Sequence, residues 1–200
     1  MSKPKMFIGT DSLKQLVYGI QGSGKTHYSK EQIKEHNYTV LCFQVHPKDF
    51  EDEPDNFIVY KASNKDEMGN PIYTKEDFDV FCMYGKELAK QGQIDGLLID
   101  EMDLLFQNNW DLSPQFNDLI INHRHQGCFV IGITRRPQDI PAKFVGQTHR
   151  HVIFAFDDPL AQKKFNGLYK DLGTNIRSLK YKSYDHYVKE IGEPSEFVKG

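Results

Sequence analysis

Long apolar runs are missing from this chain. Nowhere in its 200 residues is there anything near the roughly 18 to 20 uninterrupted apolar positions that a membrane-spanning helix needs. The opening Met1-Ser2-Lys3-Pro4-Lys5 lacks the apolar core of a secretory leader, so a soluble, intracellular protein is expected. Cysteine is scarce as well. Cys42, Cys82 and Cys128 lie far apart inside apolar stretches, without CxxC spacing or a His and Cys cluster. This argues against a zinc site or a disulfide framework and for reduced core residues. Internal repeats and low-complexity tracts are also absent.

No charge sign dominates. The 25 Lys and Arg residues face 28 Asp and Glu, for a net charge of −3, which gives no global attraction to nucleic acid. The distribution is uneven, however, with the acidic excess in residues 1–120 and a basic excess in residues 121–200. A basic face toward a polyanion is therefore permitted by the C-terminal part, but charge alone does not distinguish it from an ordinary solvated surface. The composition, 38% apolar and 26% charged, suits one compact domain able to bury a sheet and its covering helices.

What is present is an alternation of short apolar runs with amphipathic segments, the pattern of a mostly parallel sheet with crossover helices. The composition of the runs predicts strands at Leu16–Gly19, Thr39–Val45, Ile94–Asp100, Cys128–Thr134 and His151–Phe156. Helices are predicted at Lys25–His36, Lys75–Gln91, Ser113–Gln126 and Pro159–Leu172, with Ser113 as an N-cap. The acidic stretch from His46 to Pro71 reads as loop plus an extra strand at Phe57–Tyr60. Tyr184–Val188 reads as an edge strand followed by a frayed tail. Buried parallel strands deliver polar groups to their C-terminal edge, and a ligand is expected there.

The segment Gly19-Ile20-Gln21-Gly22-Ser23-Gly24-Lys25-Thr26 is a P-loop between the first strand and the first helix. Its backbone N–H groups must turn inward around phosphate oxygens, and side chains at Gly22 or Gly24 would obstruct that turn. Lys25 supplies charge to the β- and γ-phosphates of ATP, the Thr26 hydroxyl ligates Mg²⁺, and the positive end of the helix faces the anion. Gly19, Gln21, Gly22, Ser23, Gly24, Lys25, Thr26 and His27 are the candidate nucleotide-binding residues.

A second carboxylate-bearing motif follows. Gly96-Leu97-Leu98-Ile99-Asp100-Glu101 brings Asp100 to a strand end, where it can hold Mg²⁺ through a water. Glu101, immediately after it, is placed to orient and deprotonate a water in line with the γ-phosphate, whereas a kinase must keep that water out. Asp103 reads as a helix or loop residue outside this set. Beyond the next strand comes Arg135-Arg136-Pro137, where a cation can sense the γ-phosphate.

The order P-loop, apolar strand ending Asp-Glu, then Arg124-His125-Gln126-Gly127 through Pro141 resembles the FtsK–HerA superfamily of DNA-pumping ATPases. Within it the chain looks most like the genome-packaging ATPases of membrane-containing icosahedral viruses, archaeal ones included. The resemblance spans about residues 14–160, with residues 173–200 as a C-terminal extension of a single 1–200 ATPase domain. It implies an α/β, RecA-like P-loop NTPase fold with strand order 5-1-4-3-2 and helices on both faces. It further implies a homo-oligomer, hexameric or similar, that moves double-stranded DNA independently of sequence. It also places the protein in the host cytoplasm or with the virion, near a capsid or membrane vertex.

By the same resemblance Arg124 takes the place of an arginine that reaches into a neighbouring subunit's site. One departure stands out: the superfamily usually has Gln before the Arg-Pro pair, and Arg135 stands there, either a sensor or a second trans-acting cation. Arg136 is expected to pair with a carboxylate. Lys48, Lys143, Lys163, Lys164, Arg177, Lys180 and Lys182 are candidate DNA contacts. The pairs His123, His125 and His149, His151 are read as structural or solvent-facing. Alternatives are a translocase of conjugation, plasmid maintenance or phage assembly, a small-molecule or nucleotide kinase, and a slowly hydrolysing regulatory module.

Overall fold

The computed structural model describes residues 13–44, 49–50, 55–170 and 172–200, with the side chains of His123, Arg124 and Gln126 outside that description. These residues divide into two compact units. The first takes residue 13 with 32–100 and 108–130; the second takes 14–31, 101–107 and 131–200.

In the first unit, β2 (Val40–Phe43) lies between two parallel neighbours, β3 (Phe57–Val59) and β6 (Gly96–Ile99). β2 and β6 are fully buried four-residue runs, as expected of strands covered on both faces. The start of β7 (Phe129–Thr134) follows, with the Phe129 N–H donating to the Asp95 carbonyl. β4 (Asn64–Lys65) and β5 (Pro71–Ile72) make a separate small hairpin.

Helix α2 (Lys75–Lys90) begins in a capping box. Thr74 Oγ1 accepts from the Asp77 N–H at 3.1 Å, and Asp77 accepts from the Thr74 N–H at 3.0 Å. Asp77 also accepts from the N–H and hydroxyl of Ser63, and these bonds hold its carboxyl below the usual range against the opposing effect of burial. The helix packs Phe78 and Phe81 against Phe43, Tyr60, Trp110 and Phe116, and Phe43 in turn meets Tyr73. Each fully buried ring here contributes about 1.5 to 3 kcal/mol. α4 (Pro114–Gln126) is capped as expected, Ser113 Oγ accepting from the N–H groups of Gln115 and Phe116.

The second unit is ordered β10-β9-β8-β1-β7. β1 (Lys14–Tyr18) and β8 (Arg150–Ile153) are parallel; β9 (His186–Glu190) and β10 (Glu196–Val198) extend this edge in antiparallel fashion. Of the anticipated order 5-1-4-3-2, the second unit contains 5-1-4 as β8-β1-β7, lengthened by β9 and β10, and the first contains 3-2 as β6-β2, lengthened by β3. α1 (Lys25–Glu35) follows the P-loop, and short helices α3 (Asp103–Gln107) and α5 (Ala142–Gly146) follow β6 and β7.

Three expectations need correction. The helix predicted over Pro159–Leu172 is α6 (Pro159–Leu168) and stops at Leu168, because Tyr169 is extended and its ring packs edge-on against His151; a separate α7 (Leu172–Ile176) follows. The tail is not frayed, since Glu196–Val198 pairs with β9. β9 itself starts two residues later than predicted, because Tyr184 has a left-handed backbone.

His151 is fully buried. It shares a 2.9 Å hydrogen bond with the Tyr18 hydroxyl and stacks on its ring. Burial, and secondarily the Lys189 charge, push its pKa down to about 3. Between that value and the ordinary 6.5 the unfolded chain takes up a proton that the folded chain refuses. Stability should therefore fall as pH drops from 7 to 4, at up to about 1.4 kcal/mol per pH unit from this group. Unfolding of wild type and His151→Gln across that range checks this: the variant should have the shallower dependence, and equal slopes would refute it.

Candidate active site

The P-loop sits between the end of β1 and the start of α1, tied down from two strands. The Gly19 N–H donates to the Thr134 carbonyl at the end of β7, and the Ile20 N–H donates to the Ala155 carbonyl just after β8, both at 3.3 Å. Gly22 and Gly24 have φ of 72° and 99°, the left-handed region that glycine enters without a Cβ clash. There is a second reason for glycine there. A Cβ on Gly22 would come 2.7 Å from the Tyr181 hydroxyl, and one on Gly24 would come 2.7 Å from Tyr184 Cδ1. The segment after α7 thus stands directly over the loop. Lys25 is buried, and its Nζ donates to the Ile20 carbonyl at 2.8 Å, so the ammonium is held within the loop it must serve. Ser23 is buried too, while Gln21 and His27 are exposed and Thr26 is half-buried.

Asp100 follows β6 in the first unit, its N–H donating to the Phe43 carbonyl. Glu101, in the second unit, has φ of 48°, an uncommon backbone for a glutamate that turns its side chain out of the strand line. Arg135 Nη2 lies 2.6 Å from Glu101 Oε1, both side chains about two-fifths exposed. A pair so open to water is worth about 1 kcal/mol or less, so it can exchange for another partner.

The end of β7 is shaped by a residue that the sequence reading set aside. Asp103 is buried and accepts from Thr134 Oγ1 at 2.9 Å and from the Arg135 N–H at 3.3 Å; Thr134 Oγ1 in turn accepts from the Arg136 N–H. Asp103 thus fixes the backbone that carries Arg135. A buried Asp two residues after the acidic pair, with a Thr at the end of the next strand, is the only sequence signal that pointed to it. Arg136 reaches Asp139 at 3.9 Å, the expected carboxylate partner.

Two cavities border the P-loop. One, of about 490 Å³, is lined by Ile20, Gln21, Asp103, Arg135 and Gln138. The other, of about 690 Å³, is lined by the opposite end of the loop and a set of aromatic rings. Arg124 lies on α4; its side chain is outside the described residues, as is Lys48. Of the other candidate DNA contacts, Lys164 Nζ is bound to the Ile140 carbonyl, and Arg177 Nε donates to Gln162 at 2.5 Å, so both already serve the fold. Lys143, Lys163, Lys180 and Lys182 are exposed. His149 Nδ1 accepts from the Lys14 N–H, and His125 is exposed.

Among the described residues no group of three or more His, Cys, Asp or Glu is arranged to hold a metal ion, and no helix is long and apolar enough to cross a membrane. Thr26 and Asp100 each carry a hard oxygen, the donor type that Mg²⁺ prefers, and Mg²⁺ is commonly bound by one or two protein oxygens plus phosphates rather than by a protein cage.

A phosphate loop between a buried strand and a helix, in a fold of mostly parallel strands and helices, defines a P-loop NTPase of the α/β class. Residues 15–156 match the ATPase family associated with various cellular activities (AAA), and the chain belongs to that family of ATP-hydrolysing enzymes. No curated protein matches it. Its fold is similar to the genome packaging NTPase B204 from Sulfolobus turreted icosahedral virus 2, in complexes with sulfate and with ATP-gammaS. Both give a TM-score of 0.75 at 16% identity, covering 96% of this chain and 98% of that one. The DNA-packaging ATPase B204 from Sulfolobus Turreted Icosahedral Virus gives 0.73 at 18% identity, with the same coverage. The cytoplasmic domain of the Thermomonospora curvata Type VII secretion ATPase EccC gives 0.61 at 13% identity, covering 93% of this chain and 25% of that one.

Proposed function

We propose that this chain is a motor ATPase that moves double-stranded DNA, and within that class a viral genome-packaging ATPase of the FtsK–HerA type. The observation that carries the reading is extent. The likeness to the DNA-packaging ATPase takes in 96% of this chain and 98% of the other, whereas the secretion ATPase shares only a quarter of its length. Residues 1–200 then act as one ATPase domain that works as a homo-oligomeric ring in the host cytoplasm, at a capsid or membrane vertex.

In this reading the N–H groups of residues 22–26 cradle the phosphates and Lys25 neutralises their charge. Thr26 and Asp100 would hold Mg²⁺, which when bound offsets charge on the phosphoryl oxygens. Glu101 takes the proton of the attacking water. Arg135 has two anions within its chemistry, the Glu101 carboxylate and a γ-phosphate oxygen, and a guanidinium pairs well with either. Transfer of Arg135 to phosphate frees Glu101 to act as base, which links the base's availability to the nucleotide. Arg124 completes the site of the adjacent subunit.

The experiment is steady-state release of the γ-phosphate with and without double-stranded DNA. Stimulation is expected; recovery of the phosphate on a nucleoside or metabolite instead would identify a kinase.

A further inference from the structure

The larger of the two cavities beside the P-loop begins at the phosphate loop, with Gly22, Gly24 and Lys25 in its lining, and continues past the loop to His27, Tyr28 and Glu31. On one side it is walled by Gly24, Thr26 and His27, on the other by Phe154, Tyr184 and His186. Its volume of about 690 Å³ and its aromatic walls suit a small-molecule site.

Direction along the loop decides what enters it. In a P-loop the backbone cradles the α- and β-phosphates and the lysine reaches the β- and γ-phosphates. The cavity that holds Arg135 borders Ile20 and Gln21, which makes that the γ side. The nucleoside therefore leaves the loop at its other end, by Thr26 and His27, and passes into the aromatic cavity.

The walls are built for a flat ring. Phe154 and His186 are stacked at 4.8 Å, and Tyr28 meets both edge-on at 5.8 and 4.9 Å. His186 Nδ1 donates to the Tyr184 carbonyl at 3.1 Å, since a carbonyl only accepts, so Nδ1 carries the proton. Burial lowers the pKa of His186, which favours a neutral ring.

Tyr184 is the informative residue. Its φ is 61°, a backbone that Gly or Asn adopts more easily, yet its side chain is 51% exposed and so is not there to fill a core. The ring rests on Gly24. Gly200 ties back to this turn, its N–H donating to Asp185 Oδ1 at 3.0 Å.

We propose that the turn after α7, which lies outside residues 15–156 that define the family match, is the nucleobase wall of the site, with the base of the bound nucleotide stacking on Tyr184 beside Phe154 and His186. The inference rests on the ATPase reading above.

The test is calorimetric binding of a non-hydrolysable ATP analogue and of inorganic tripolyphosphate to the full chain, as wild type, Tyr184→Asn and Tyr184→Trp. Asn tolerates the left-handed backbone, so the fold is retained, which thermal unfolding verifies. Tyr184→Asn should weaken the nucleotide about ten- to a hundredfold, the effect of losing one base–aromatic stack. Tripolyphosphate affinity should stay within about twofold, and Tyr184→Trp should keep nucleotide affinity. Equal weakening of both ligands would make Tyr184 a support of the phosphate loop and overturn the proposal, as would no weakening of either. A wild type that binds neither ligand overturns the ATPase reading itself; one that binds tripolyphosphate as tightly as the nucleotide overturns only the base site.

Discussion

Glu101→Gln is expected to bind ATP with wild-type affinity and to hydrolyse it about 10² to 10⁴-fold more slowly, the usual contribution of a positioned general base. The substitution keeps the shape of the side chain, so neither the P-loop nor its ties to Thr134 and Ala155 should move. What it removes is the proton acceptor. It also replaces the charged contact with Arg135, 2.6 Å in the wild type, by a neutral hydrogen bond. Because that pair is partly open to water, its loss should change stability by about 1 kcal/mol or less. A large fall in turnover with an unchanged melting temperature and unchanged nucleotide affinity is thus the expected combination, read by phosphate release and equilibrium binding. Full turnover would remove Glu101 from the role of base.

Arg124→Ala is the second large effect. An arginine that stabilises charge on the transferring phosphoryl group in trans is worth about 10³ to 10⁵ in rate, so the variant alone should be nearly inactive. The distinguishing result comes from mixing. Lys25→Ala subunits have a disabled phosphate site but an intact Arg124, while Arg124→Ala subunits have the opposite defect. If Arg124 acts across the interface, a mixture of two inactive preparations should regain activity. A mixture as inactive as its components would make Arg124 a residue of its own subunit.

The parts of this account legible in the sequence are those that depend on local pattern. Gly22, Gly24, Lys25 and Thr26 declare a phosphate loop because the chemistry demands those residues at that spacing, and Leu97–Ile99 before Asp100 declares a buried strand for the same kind of reason. The strand order 5-1-4-3-2 followed from the resemblance carried by Arg124–Pro141, and each unit contains its part of it, extended by further strands. What escaped depends on contacts between residues far apart in the chain. Tyr181 and Tyr184 are some 160 positions from the glycines they cover, so nothing around them announces it. Glu196–Val198 is too short and too polar to read as a strand, and it forms because β9 offers an open edge. The helix end at Leu168 answers to the packing of Tyr169 against His151, which overrides local propensity. Asp103 was read past because an acidic residue at a helix start is ordinarily a surface residue. Here it is buried by the Thr134 and Arg135 groups that it binds.

The central claim is that ATP hydrolysis at this site serves movement on double-stranded DNA. It is tested most directly by steady-state phosphate release from the wild type in Mg²⁺, measured across a titration of linear double-stranded DNA of two unrelated sequences. The account predicts a turnover rate that rises with DNA to a plateau, alike for both sequences because contacts to the phosphate backbone carry no sequence information. A rate that DNA leaves unchanged at every concentration would contradict it.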